Sequence, residues 1–170
     1  MPVLLPKPRS MGSHHSARMG KDEWLTPPEI LAALPRFDLD PCAPAIQPWP
    51  TASRKYSLPQ DGLVLPWEGS VWCNPPYGRH AAKWLARCAE HGNAMALIFA
   101  RTETKDWQTQ VWGKANSILF LFGRIHFHHV DGTRARANSG APSAIIAYGS
   151  RASAVLEECK LPGRFIRLMP

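Results

Sequence analysis

Val71-Trp72-Cys73-Asn74-Pro75-Pro76-Tyr77-Gly78 joins a short apolar run to a polar, proline-locked tetrapeptide, and the chain from Arg79 to His91 then resumes with a helical period. In that predicted helix Ala81, Trp84, Leu85 and Cys88 share one face, while Arg79, Lys83 and Arg87, four apart, share another. Strand, rigid turn and helix in that order form the repeating unit of α/β sheets. The alternation continues outward. Upstream, Phe37-Asp38-Leu39-Asp40 alternates apolar and acidic residues as a short strand stopped by Pro41. Before it, Leu25-Thr26-Pro27-Pro28-Glu29-Ile30 opens a helix, with Thr26 as N-cap, Pro27 as first helical residue and Glu29 as capping-box acceptor; Pro35 ends it near Leu34. Ala43 to Pro66 holds five prolines and reads as a long, partly ordered loop ending near Asp61-Gly62-Leu63. Downstream, strands are expected at Ala94 to Ala100, Ser117 to Phe122, Ile125 to His129 and Ser143 to Tyr148. Helices are expected at Thr104 to Ala115, capped by Thr104, and near Ala152 to Glu158, before a short extension from Arg164 to Leu168. The expected architecture is a single-domain α/β protein over residues 23–170 with a mostly parallel, three-layer sheet, preceded by a flexible basic arm over residues 1–22.

Composition narrows the possible functions. A chain of 170 residues, 45% hydrophobic, has enough apolar material for one ordinary core. Its longest apolar runs, Ala94 to Ala100 and Ile118 to Phe122, fall far short of the roughly 20 residues of a membrane helix. The Val3-Leu4-Leu5 patch, flanked by prolines, is too brief for a secretory signal, so a cytoplasmic protein is expected. Cys42, Cys73, Cys88 and Cys159 include no Cys-x-x-Cys pair, which argues for free thiols and against a zinc knuckle. His126, His128 and His129 lack a second cluster to complete a coordination sphere, and no metal is expected. The formal net charge of +7 suits a polyanionic partner.

Asn74-Pro75-Pro76-Tyr77 carries the chemistry. Each proline fixes its own φ, lacks an N–H and forces the preceding residue into extended geometry. The Asn74 side-chain oxygen and the Pro75 carbonyl then become a pair of acceptors matched to the two hydrogens of an exocyclic amine. Tyr77 adds a flat face for a planar base or amide. An aromatic amine such as adenine N6 has its lone pair delocalised into the ring, and two acceptors drawing on its hydrogens localise it. If a sulfonium methyl donor lies opposite, transfer is a direct in-line displacement in which positioning contributes roughly 7 to 11 kcal/mol. In an open α/β sheet the ligand site lies beyond the carboxyl ends of the strands, where Asp40-Pro41-Cys42-Ala43 and Asn74 to Tyr77 are expected.

Five blocks in one order resemble the phage-type, Dam-like DNA adenine N6-methyltransferases, from about Asp22 to Gly149. They are Thr26-Pro27-Pro28-Glu29, Phe37-Asp38-Leu39-Asp40-Pro41-Cys42-Ala43, Asp61-Gly62-Leu63 followed by Trp67, Val71 to Gly78, and Gly123-Arg124-Ile125-His126-Phe127. The resemblance implies a fold of the S-adenosylmethionine-dependent methyltransferase, Rossmann-like type, with S-adenosylmethionine as cofactor and DNA as partner in a bacterial host. It implies Asn74, Pro75, Pro76 and Tyr77 as the catalytic motif. Thr26-Pro27-Pro28-Glu29 and Asp40-Pro41 would border the methionine part of the cofactor, Asp61 would approach its adenine, and Cys42 and Asn74 would also be cofactor-binding. Physical readings stand beside these roles: a capped helix start offers N–H groups to a carboxylate, and Asp40 offers a partner to an ammonium. Yet Thr26 to Glu29 is equally explained as a capping box, and Asp61-Gly62 as a turn. The Gly-x-Gly loop usual after the first strand of such enzymes is missing after Leu39-Asp40.

Between Arg79 and Arg136 nine Lys/Arg face four Asp/Glu, a surplus of five positive charges downstream of the motif. Arg79, Lys83, Arg87, Arg124, Arg134 and Arg136 are the candidate DNA-binding residues, holding phosphates while the target base is flipped out of the stack. No protein partner is expected, and the chain is read as a monomer. Two alternatives remain: an N-methyltransferase acting on RNA or on a protein glutamine amide, and a non-catalytic DNA-binding module with a residual cofactor pocket.

Overall fold

Val71–Cys73 and Ala94–Phe99 carry no charged side chain, and both become central strands, β3 and β4, of one seven-stranded sheet. The computed structural model describes residues 23–78 and 80–169. The expected basic arm, residues 1–22, and Arg79 lie outside the described residues. The other strands are β1 (Phe37–Asp40), β2 (Ala52–Lys55), β5 (Ser117–Leu121), β6 (Ser143–Tyr148) and β7 (Gly163–Arg167), in the spatial order β2-β1-β3-β4-β6-β5-β7. Three helices flank them: α1 (Pro28–Ala32), α2 (Ala81–His91) and α3 (Ser150–Glu158), with a π-helical segment at Trp107–Trp112.

Strand alternation divides the core into two layers. Val71, Cys73, Ala96, Ile98, Ile146 and Tyr148 point to the side covered by Trp84, Leu85 and Cys88 of α2 and by Trp107 and Val111. Trp72, Met95, Leu97, Ile145 and Ala147 point to the other side, under Ile30 of α1 and Ala152 and Leu156 of α3. At the far end of the sheet Gly149, with φ +94°, lies so close to Gly92 that a β-carbon there would stand 1.8 Å from the Gly92 carbonyl oxygen.

The expectation of a mostly parallel sheet is corrected. β2, β1, β3 and β4 pair in parallel, but β4–β6, β5–β6 and β5–β7 are antiparallel, and their ladders are the longer ones. The cause lies between β5 and β6. A parallel return needs a crossover, normally a helix; residues 122–142 contain none, so β6 starts at the end where β5 stopped and runs back beside it. The strand expected at Ile125 to His129 is absent for the same reason. That segment belongs to the connection and makes only isolated bridges, His128 with Leu25 and with Arg134.

Two smaller corrections concern sequence signals outweighed by tertiary contacts. The capping box does not form: Pro27 is the N-cap of α1, Pro28 opens the helix, and no side chain caps it. Thr26 is buried instead, and its hydroxyl accepts a hydrogen bond from the Trp72 indole at 3.1 Å. Within the expected loop, β2 pairs with β1 at the sheet edge. Only Ala52 of its four residues is buried, so it lacks the alternation that announces a strand. By contrast, the Thr104 hydroxyl does accept from the Trp107 N–H, as an N-cap should, although the helix it opens winds into the wider π form.

Candidate active site

The chain leaves β1 toward the sheet edge at β2, then crosses back to β3 on the other side of β1. Crevices form at such a reversal, beyond the carboxyl ends of the strands. A cavity of about 400 Å³ lies there. Asp40 to Pro44 after β1 and Asn74 to Tyr77 after β3 line it, together with Trp24 to Thr26, Thr51, Tyr56, Asp61, Gly62 and Trp84. Four blocks separated in sequence thus line one cavity.

Asn74 is held at one end of its side chain and not at the other. Its Nδ2 donates to the Trp24 carbonyl at 3.0 Å, whereas its Oδ1 is buried and has no hydrogen-bond partner among the described residues. Such an acceptor, shielded from water, costs free energy until a donor reaches it. The Cys42 thiol donates to the Asn74 carbonyl at 3.4 Å and lies 3.7 Å from the Cys73 sulfur. Burial pushes the Cys73 thiol well up, and Cys42 is also raised, so both stay neutral.

One face of Tyr77 is stacked on Phe99, with ring centroids 4.2 Å apart and planes within 11°. Phe127 meets the ring edge-on at 5.8 Å. The Tyr77 hydroxyl is buried with no partner among the described residues, and desolvation raises its pKa, so the phenol stays protonated. A planar ligand therefore cannot use the face of Tyr77 that Phe99 covers. The Arg101 guanidinium stands 5.9 Å over the Phe99 ring.

Asp40 is buried, and desolvation lifts its carboxyl to about 6 against the opposing pull of its hydrogen bonds. Thr51 donates its hydroxyl to one oxygen, and the Cys42 N–H donates to the other at 3.1 Å. Each oxygen retains a lone pair for a further donor. Asp61 does form the turn that its sequence suggests, accepting the Leu63 N–H at 3.0 Å, and it still borders the cavity. Beside it Gly62 is required by contact: a β-carbon would lie 1.8 Å from the Pro41 carbonyl oxygen. The Trp67 indole donates to the Gly62 carbonyl at 2.7 Å and fixes this approach. Pro27 is buried at the start of α1 and does not line the cavity; like Pro28, it carries no N–H.

The basic candidates separate. Arg124, Arg134 and Arg136 are exposed on the 122–142 connection, at the same end of the sheet as Asn74. Lys83 is exposed on the first turn of α2. Arg87 lies farther down that helix, 5.0 Å over the Trp67 ring and 3.8 Å from Glu90, and is not brought to the rim. The Trp24 carbonyl, Thr51 and Phe99 are site groups that the sequence did not announce. The carbonyl carries no side-chain signature at all, and Phe99 was legible only as a buried strand residue. Phe127 sits in a quoted block but without the packing role it has here.

With the geometry in hand, comparison with known families gives one match: the family model described as DNA N-6-adenine-methyltransferase (Dam) covers residues 13–153, well over half of the chain. Comparison with curated proteins and with solved structures gives no match.

Proposed function

Because the chain belongs to the DNA N-6-adenine-methyltransferase (Dam) family, we propose that it transfers a methyl group from S-adenosylmethionine to N6 of adenine in DNA, with Asn74 to Tyr77 as the reacting pocket. The observation that carries this reading is the Asn74 Oδ1, a buried acceptor without a partner on the wall of a ligand-sized cavity. An exocyclic amine supplies the donor that this atom lacks. The Pro75 carbonyl is the second acceptor of the proposed pair, and drawing both amine hydrogens into hydrogen bonds localises the nitrogen lone pair. Tyr77, backed by Phe99, offers its remaining face to the base.

The donor set around the cavity fits the cofactor. Its ammonium suits Asp40, which is ionised above about pH 6 and keeps a free lone pair on each oxygen. Thr26, Pro41, Cys42 and Asp61 all line this cavity, with Pro27 one residue behind Thr26; the first three are proposed to hold the methionine part and Asp61 to approach the adenine moiety. S-adenosylmethionine, when bound, supplies a sulfonium methyl open to in-line displacement. Asn74 and the two prolines contribute orientation. Arg124, Arg134 and Arg136, with Lys83, are proposed to hold the DNA backbone while the base leaves the stack, at a cost of a few kcal/mol. Arg79 was expected in the same role and lies outside the described residues. Among the described residues no helix is long and apolar enough to cross a membrane.

The test supplies S-adenosylmethionine labelled in its methyl group together with DNA, RNA or a protein extract, followed by digestion to nucleosides or amino acids. Label in N6-methyladenine from DNA is expected. Label confined to RNA or to glutamine amides overturns the substrate assignment, and DNA binding with no label in any product leaves only the non-catalytic module.

A further inference from the structure

An asparagine amide presents an acceptor at one end and a donor at the other, and exchanging them by rotation about χ2 changes the shape hardly at all. At Asn74 this ambiguity is resolved from outside the motif. The Trp24 carbonyl can only accept, so the amide end facing it must be Nδ2, and Oδ1 is thereby turned away from it. The reverse orientation would set two oxygens lone pair to lone pair.

The carbonyl that makes this choice is itself pinned. Leu25 is buried and donates its N–H to the His128 carbonyl at 2.8 Å, and the His128 N–H returns a bond to the Leu25 carbonyl at 3.2 Å. The Trp24 ring packs on His129 with centroids 4.9 Å apart. The same hairpin closes on itself through the His129 N–H to Thr133 carbonyl bond, 2.8 Å, and a bridge between His128 and Arg134. We propose that the main-chain carbonyl of Trp24, held in place by the His128 hairpin, is an orientation lock that fixes Asn74 with its acceptor toward the substrate amine. Trp24 is then a positioning residue, acting through Asn74. The hairpin that holds it also carries Arg134, one of the arginines assigned to DNA. The inference rests on the proposed methyl-transfer reading for its purpose, though the lock itself is a property of the folded chain.

Two measurements test it. In wild-type protein labelled with nitrogen-15 and carbon-13, a scalar coupling across the hydrogen bond between Asn74 Nδ2 and the Trp24 carbonyl carbon is expected; its absence overturns the lock. This readout needs no turnover, so a coupling present in a protein that methylates nothing overturns the function and spares the lock. The second measurement is the pH profile of kcat in Asn74→Asp. A protonated carboxyl donates to Trp24 as the amide does, whereas an ionised one meets the carbonyl with oxygen only. The variant is expected to show a limb, absent from wild type, along which kcat falls about tenfold per unit as pH rises, with KM for DNA changed less than twofold. The other titratable groups around position 74, namely Glu23 and Asp40 lining the cavity, Cys42 and Cys73, Tyr77 of the same loop, and His128 and His129 beside Trp24, are the same in both proteins, so the new limb belongs to position 74. A variant profile superimposable on wild type overturns the proposal, because Asp then functions without a donor toward Trp24.

Discussion

At the scale of single residues, Asp40 is buried whole, whereas Asn74 is half-buried and hides only its Oδ1. Burial raises the Asp40 carboxyl from 3.8 to about 6. Folding thus favours its protonated form: the contribution to stability is full below about pH 3.8 and is lost as pH rises through about 6. A shift of about two units corresponds to about 3 kcal/mol. Denaturant unfolding of Asp40→Asn should therefore show stability, relative to wild type, increasing by up to about 3 kcal/mol between pH 4 and pH 7.5. Cofactor affinity should run the opposite way. In wild type it weakens as pH falls below about 6, where the ammonium loses its ionised partner, and in Asp40→Asn it is weak and flat across the same range; titration calorimetry distinguishes the two. For Asn74→Ala, loss of an acceptor aimed at the reacting amine predicts a fall in kcat of about 100-fold or more, with cofactor affinity retained. Unchanged turnover in that variant would remove the paired-acceptor mechanism.

Among the elements, the turns rather than the strands carry the site, and two glycines separate fold from function. A β-carbon at Gly62 meets the Pro41 carbonyl oxygen at 1.8 Å, and one at Gly149 meets that of Gly92 at the same distance. Both alanine variants should lower Tm. Gly62→Ala pushes on the turn after β1 and is expected to weaken cofactor binding as well, whereas Gly149→Ala, at the opposite end of the sheet, leaves the affinity of the remaining folded protein unchanged. Equal affinity in the two variants would remove the turn after β1 from the binding surface. Much of this was legible beforehand. The proline-bounded strands β1 and β3 and helix α2 were readable because φ restriction and periodicity act within a few residues. Strand β2 was not, since Ser53, Arg54 and Lys55 show no apolar alternation and the strand exists only because β1 offers it an edge. The capping box at Thr26 failed because Trp72, far away in sequence, offered the hydroxyl a buried donor.

For the whole molecule, the sheet gathers exposed positive charge at the end where the cavity opens, through the long connection between β5 and β6. Each phosphate contact contributes about 0.9 to the slope of log affinity against log salt concentration. Arg134→Ala combined with Arg136→Ala is expected to reduce that slope for DNA by up to about 2. Arg87→Ala is expected to leave it unchanged, because that guanidinium already lies over Trp67 and beside Glu90. Binding measured over a series of salt concentrations checks both; a loss of slope in Arg87→Ala would move the interface down α2.

What the chain determined by itself was local: the rigid Asn74 to Tyr77 turn between a buried strand and an amphipathic helix, the acidic end of β1, and the basic surplus that follows them. These follow from φ restrictions, side-chain period and charge, which operate over a handful of residues. Tertiary structure decided the rest. It set β6 antiparallel for want of a crossover helix, turned Thr26 inward to Trp72, and brought the Trp24 carbonyl to Asn74 across 50 positions of sequence. Such contacts depend on which surfaces pack together once the sheet has formed, and no periodicity along the chain encodes a backbone carbonyl's destination.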